Sequence, residues 1–147
     1  MFGNYQSSSI RIEIAASAEQ LAGALTEPEQ LKKWLWPQQI AVAKIEQGWS
    51  KDSPPLTQLA AGQTFESTLG PLKIVHKVEM RWPSLFGGDS PSGIRFLLSG
   101  GIDGFHEWQW GDGWVQSRIE GVSLLPLNLG QTLSLARLRA YLKENQA

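Results

Sequence analysis

From Leu72 to Trp82 the chain alternates between apolar and charged positions. Leu72, Ile74, His76, Val78, Met80 and Trp82 fall on one side, and Lys73, Lys77, Glu79 and Arg81 on the other, with Val75 the only exception. Successive side chains of a strand point to opposite faces, so the pattern predicts a long antiparallel strand with one dry and one wet face. At roughly 3.4 Å per residue it would span about 37 Å, enough to curve around an interior. The dry face carries a histidine. The second histidine of the chain, His106, stands beside Trp108 and Trp110.

The same alternation predicts a short strand at Ile10–Ile14 and further strands at Ile40–Glu46, Gln63–Leu69 (Phe65, Ser67 and Leu69 on one face) and Ile94–Ser99. Phe105–Trp110 and Trp114–Leu125 flank Gly111-Asp112-Gly113, and an Asp-Gly pair between two alternating runs predicts a hairpin. Ser17 with Gln20, and Thr26 with Glu29, have capping-box spacing and predict two short helices, Ala18–Leu25 and Glu27–Leu35, with Pro28 in the first turn of the second. Gly48–Gly62 and Pro83–Gly93 read as loops. Asn128 and Gln131 are placed to cap a closing helix from Leu129 to about Asn145. That helix has two apolar stripes, Leu129, Leu133, Ala136 and Ala140 on one side and Leu135, Leu138 and Leu142 nearly opposite. Two stripes place it between a sheet and something else: the short helices, a subunit partner or a bound ligand. Helices segregated to one side of an antiparallel sheet make the fold α+β, a single domain over residues 1–147.

Composition narrows the function. Thirteen basic and fourteen acidic side chains give a net charge of −1 over 147 residues, and they are spread without runs. Neither nucleic acid nor an anionic membrane surface is therefore the expected partner. There is no cysteine, which excludes disulfides, thiolate catalysis and cysteine-based zinc sites. Met1–Ser9 does not read as a signal peptide, and no apolar stretch approaches the ~20 residues that span a bilayer. The expectation is a cytoplasmic protein without membrane insertion. Seven tryptophans are available to fill the core or to line a pocket.

The order strand, helix pair, meander and closing helix resembles the helix-grip fold of the Bet v 1-like or START-like (SRPBCC) superfamily. Leu25-Thr26-Glu27-Pro28-Glu29-Gln30-Leu31-Lys32-Lys33-Trp34 is similar to the L-T-D-P-E-x-L-x-x-W signature of its second helix, as found in the polyketide cyclase-like and Aha1-like branches. Ala61-Gly62-Gln63-Thr64-Phe65, Glu107-Trp108 and the Leu-x-x-Leu-x-x-Tyr-Leu-Lys of the closing helix also fit. The resemblance implies a curved sheet of about seven strands around the C-terminal helix. It also implies a hydrophobic cavity for a lipid, sterol, polyketide or hormone, and Trp34 near its mouth.

His76 is the best catalytic candidate, because a neutral imidazole both donates and accepts a hydrogen bond; its other reading is a satisfied core histidine. Met80, Trp82, Phe96 and Leu98 extend the inward set, with Val115 and Ile119 opposite. His106, Trp108 and Trp110 share a face, though parity alone leaves open whether that face is concave. With Trp34 and Leu133 they make up the expected ligand-binding set: Trp34, His76, Met80, Trp82, Phe96, His106, Trp108, Trp110 and Leu133. Trp49 and Phe86 are candidate entrance residues in loops. Acid–base pairs are conceivable as His76 with Glu66, or His106 with Arg118 or Glu120, but no spacing demands them. No phosphate-binding loop, nucleophile elbow or metal-ligand spacing is present, and no cofactor is expected. Three readings stay open: a binding module for a small hydrophobic or amphipathic ligand, a cyclase- or dehydratase-type enzyme, and an Aha1-like interaction domain. The last would pair with itself or a protein partner through loop aromatics or the C-terminal helix.

Overall fold

The alternating runs pair into one antiparallel sheet. The computed structural model describes residues 3–35, 39–44, 62–69, 71–82 and 92–144, with 39–44 described by their backbone alone. The chain runs β1 (Asn4–Glu13), α1 (Ala18–Thr26), α2 (Pro28–Trp34), β2 (Gln39–Lys44), β3 (Thr64–Leu69), β4 (Leu72–Trp82), β5 (Ser92–Gly100), β6 (Ile102–Gly111), β7 (Trp114–Ser123) and α3 (Leu127–Glu144). The strand order is β1-β7-β6-β5-β4-β3-β2. Six of these strands, β1 and β3 to β7, are seen with their side chains. The fold is α+β, a curved antiparallel sheet with the closing helix packed on it. Trp49, Phe86 and most of the two long loops lie outside the described residues. No described helix is long and apolar enough to cross a membrane.

Local chemistry explains the helix ends. Ser17 Oγ accepts from the Gln20 amide while Gln20 Oε1 accepts from the Ser17 amide, a complete capping box. The Asp112 carboxylate, at the tip of the β6–β7 hairpin, accepts from the Ala18 amide at 2.7 Å and adds a negative group where the helix end favours one. The second expected capping box does not form. Thr26 is the last residue of α1 and turns its hydroxyl back to the Ala22 carbonyl, and Glu27 caps α2 without a side-chain bond. α3 begins two residues earlier than the Asn128 signal predicts. Asn128 sits in its first turn and donates to Ser8 Oγ, while Gln6 Oε1 accepts from the Leu127 amide.

β1 is longer than its isoleucines suggest. Its inward positions include Gln6 and Ser8, which are polar because they bond to the β7–α3 connection and to α3 rather than to apolar side chains. Elsewhere the inner face is apolar: Ile74, Val78, Ile94, Phe96, Trp110 and Val115 are buried against Leu21, Leu25, Trp34 and Leu138 of the helices. Of the two stripes on α3, Leu135, Leu138 and Leu142 are buried and Leu129, Leu133, Ala136 and Ala140 are exposed.

Gly104 and Gly121 face each other across β6 and β7. They stand two residues from Ile102, His106 and Ile119, which places them on the same, inner face. A Cβ on Gly104 would overlap the carbonyl oxygen of Glu120, so the backbones close up on the concave side only because both residues are bare. Gly104→Ala is expected to lower stability by about 1–3 kcal/mol, read from the urea midpoint. Gly130→Ala, in α3 where an added methyl meets nothing, should raise it by about 1 kcal/mol.

Candidate functional site

Where α2 and the first turns of α3 stand over the curved sheet, a pocket of about 180 Å³ remains. Leu31 and Trp34 of α2, with its C-cap residue Leu35, form one wall. His76, Phe96, His106, Trp108 and Ile119 form the sheet floor, and Leu129, Gln131 and Leu133 line it from α3. Leu129 and Leu133 are 56% and 40% exposed, which marks the α3 side as the mouth.

Trp34 is held before any ligand is considered. Its indole N–H donates to the Ala24 carbonyl at 2.9 Å, and its ring meets Trp108 edge-on at 6.0 Å. The first bond ties the end of α2 back onto α1; the second ties both to the sheet.

The structure brings six of the nine expected residues together here: Trp34, His76, Phe96, His106, Trp108 and Leu133. Three lie elsewhere. Between Val78 and Met80 the register with β5 slips by one, a β-bulge at Glu79. After a bulge the alternation restarts on the other face. Met80 pairs with Arg95 and is 49% exposed, and the Trp82 ring covers Gly93 on the outer side. Trp110 does face inward but is packed beyond the pocket, opposite Val115; its indole N–H has no partner among the described residues.

Both histidines face the pocket, so the Phe105–Trp110 face left open by parity is the concave one. Each is paired with a serine through Nε2: His76 with Ser67 at 2.8 Å and His106 with Ser117 at 2.7 Å. His76 is also stacked flat on Phe65, with ring centroids 4.4 Å apart. Burial pushes both imidazoles down to about 3, and for His76 the neighbouring His106 adds to the effect. Both are therefore neutral at pH 7.

The expected acid–base pairs do not form. Glu66 pairs with Lys73, and Arg118 with Glu120, on the outer face. Among the described residues no group of three His, Asp or Glu side chains is placed to hold a metal.

Sequence reasoning missed Ser67, Ser117 and Gln131. Gln131 Nε2 lies 3.1 Å from the carbonyls of Ser8 and Ser117 and from Ser117 Oγ. Carbonyls only accept, so the nitrogen must face them and the amide orientation is settled. Ser117 is fully buried, and its Oγ lies between Gln131 Nε2 and His106 Nε2. Gln131 Oε1 is left buried without a hydrogen-bond partner among the described residues.

An imidazole held near 3 in the fold, against about 6.5 unfolded, binds fewer protons folded than unfolded. Above pH 6.5 neither state is charged. Below it the unfolded chain takes up protons that the fold refuses, so stability falls from pH 6.5 toward pH 3. By pH 5 each histidine should lower stability by about 2 kcal/mol. Urea titrations at pH 7, 6 and 5 check this, and His76→Gln should remove about half of the slope. Ser117→Ala, which strands His106 Nε2 and one Gln131 contact, should cost about 1–3 kcal/mol at pH 7 in the same assay.

The chain matches no protein-family model and no curated protein.

Proposed function

We propose that this protein binds a small hydrophobic or amphipathic molecule in the pocket between α2, α3 and the sheet. The observation that carries the proposal is the lining. Its apolar rings and aliphatic chains surround two neutral imidazoles and one amide, and no lining residue is ionised at pH 7. Ligand sites are typically of this kind, mostly apolar with a few convergent polar groups.

Size restricts the occupant. The pocket is smaller than the ~300–1,000 Å³ usual for such sites. It is slightly larger than the ~150 Å³ cavity that admits benzene. One substituted ring or a short branched chain matches it, and a sterol or a full fatty-acyl chain exceeds it. The curved sheet with its packed C-terminal helix is compatible with a helix-grip domain, in which an interior site of this kind has a natural place.

Exposed Leu124, Leu129 and Leu133 favour a second reading, a protein-interaction domain of the Aha1-like type, because three large apolar side chains stand in water close together in sequence around the start of α3. The cyclase or dehydratase reading has less behind it, because each histidine Nε2 is engaged by a serine and no carboxylate faces either ring among the described residues.

The indole N–H signals separate these readings. In a titration with monocyclic aromatics, Trp34 and Trp108 should shift together and saturate. Trp114, which lies under Arg11 away from the pocket, should stay still. Equal movement of all indoles, or none at saturating ligand, would overturn the binding proposal.

A further inference from the structure

We infer that the exposed stripe of α3 is a docking surface for a second copy of this chain. The two helices run antiparallel, with Leu129 and Leu133 of one copy set against Ala140 and Ala136 of the other. The inference is independent of any ligand in the pocket.

The argument starts from a helix with two apolar sides. Leu135, Leu138 and Leu142 are buried against the rest of the fold, whereas Leu129, Leu133, Ala136 and Ala140 are exposed. Steps of four, three and four residues keep the exposed set in one line along the helix, the pattern of a seam between two helices. The spacing reads the same in both directions, but the sizes do not. Leucines occupy the N-terminal half of the stripe and alanines the C-terminal half. A second helix turned end for end therefore brings every leucine opposite an alanine, over about 16 Å of helix axis. Parallel pairing would set leucine on leucine at one end and alanine on alanine at the other, leaving a gap.

Charge favours the same partner. A twofold axis brings a surface against itself, so a charged patch would meet its own sign. From Gly121 to Ala136 the chain has no charged residue. Arg137 and Arg139, which flank the stripe, come in the antiparallel register beside Gly130 and Thr132 of the other copy and not beside each other. Gly130 leaves room there, since a methyl added to it meets nothing. Met80 and Leu97, the exposed apolar residues of β4 and β5, lack this quality, because they pair across strands with Arg95 and Lys77. With Leu124, 67% exposed just before the helix, the face offers on the order of 500 Å² a side, the lower end for a specific interface. The dimer should accordingly be weak, with Kd of about 10–100 µM.

Sedimentation velocity from about 1 µM to about 500 µM at pH 7 should show monomer giving way to dimer. Ala136→Glu, exposed and outside the pocket lining, should keep the circular dichroism spectrum and raise Kd at least tenfold, because it sets two carboxylates near the axis. Leu97→Glu should leave Kd unchanged. The chain has no cysteine, so the register can be read by disulfide trapping. A mixture of Leu129→Cys and Ala140→Cys proteins should form a covalent dimer under mild oxidation. Neither variant should do so alone, because like positions stand about 16 Å apart and a disulfide needs Cα atoms within about 7 Å.

A monomer at every concentration would overturn the inference and leave the stripe to a foreign protein or a lipid surface. A dimer indifferent to Ala136→Glu, or abolished by Leu97→Glu, would overturn it as well. So would trapping of either cysteine variant alone, or failure of the mixture to cross-link.

Discussion

The amide of Gln131 is the contact on which the arrangement of the interior depends. α3 crosses the sheet where β1 and β7 meet, and the inward positions there include Gln6, Ser8 and Ser117 among the isoleucines and Val115. An apolar helix face over such a surface would leave backbone and hydroxyl groups dry and unpaired, at about 1–3 kcal/mol each. One side chain answers several of them at once, binding a carbonyl on each strand and the Ser117 hydroxyl. The position of α3 over β1 and β7 follows from that bond set. The pocket is the space left when the helix is held by this polar pin while α2 is held separately by Trp34.

The two faces of the sheet are stabilised by different physics. Inside, burial dominates, and each fully buried large side chain contributes about 2 kcal/mol. Outside, Arg95 lies 3.0 Å from Glu79 and 3.8 Å from Glu107, and its guanidinium sits 4.0 Å over the Phe105 ring. Single exposed ion pairs are worth little, about 0–1 kcal/mol. Here, however, the charges bridge three neighbouring strands and share an aromatic platform. The bulge that brings Glu79 to Arg95 is the same one that turns Met80 and Trp82 away from the interior. One extra residue in β4 thus tightens the convex network and shortens the concave wall.

Much of this fold is legible in the chain, because alternation and capping chemistry are local. The Asp112-Gly113 hairpin, the Ser17–Gln20 box and the long β4 follow from neighbours within a few residues. The two stripes on α3 were readable as well, and the structure separates them into a buried and an exposed set. Met80 and Trp82 were misplaced because a bulge leaves no mark in an alternating pattern; the ion-pair partner of its Glu79, Arg95, lies sixteen residues away. Gln131 and Ser117 were missed because a polar residue on a helix or strand looks like a solvent position. Only the partner element, more than ten residues away in each case, shows that it is buried. The same applies to β1, whose inward serine and glutamine hid the first half of the strand. Polar residues that satisfy distant backbone groups are the class that local pattern reading cannot assign.

The meander also carries a kinetic consequence. From β2 to β7 every strand pairs with its sequence neighbour, so each hairpin closes a short loop, apart from the longer connection before β3. β1 alone pairs across the whole chain, with Gln6 opposite Gly121. Closing that loop carries the largest entropy penalty of any pairing here, although the penalty grows only logarithmically with length. The meander can therefore assemble while β7 still lacks its outer neighbour, and β1 brings Gln6 and Ser8 to α3 as it docks. The polar pin is completed by the most distant pairing in the molecule, so the interior acquires its final shape in the same step that joins the two ends of the fold.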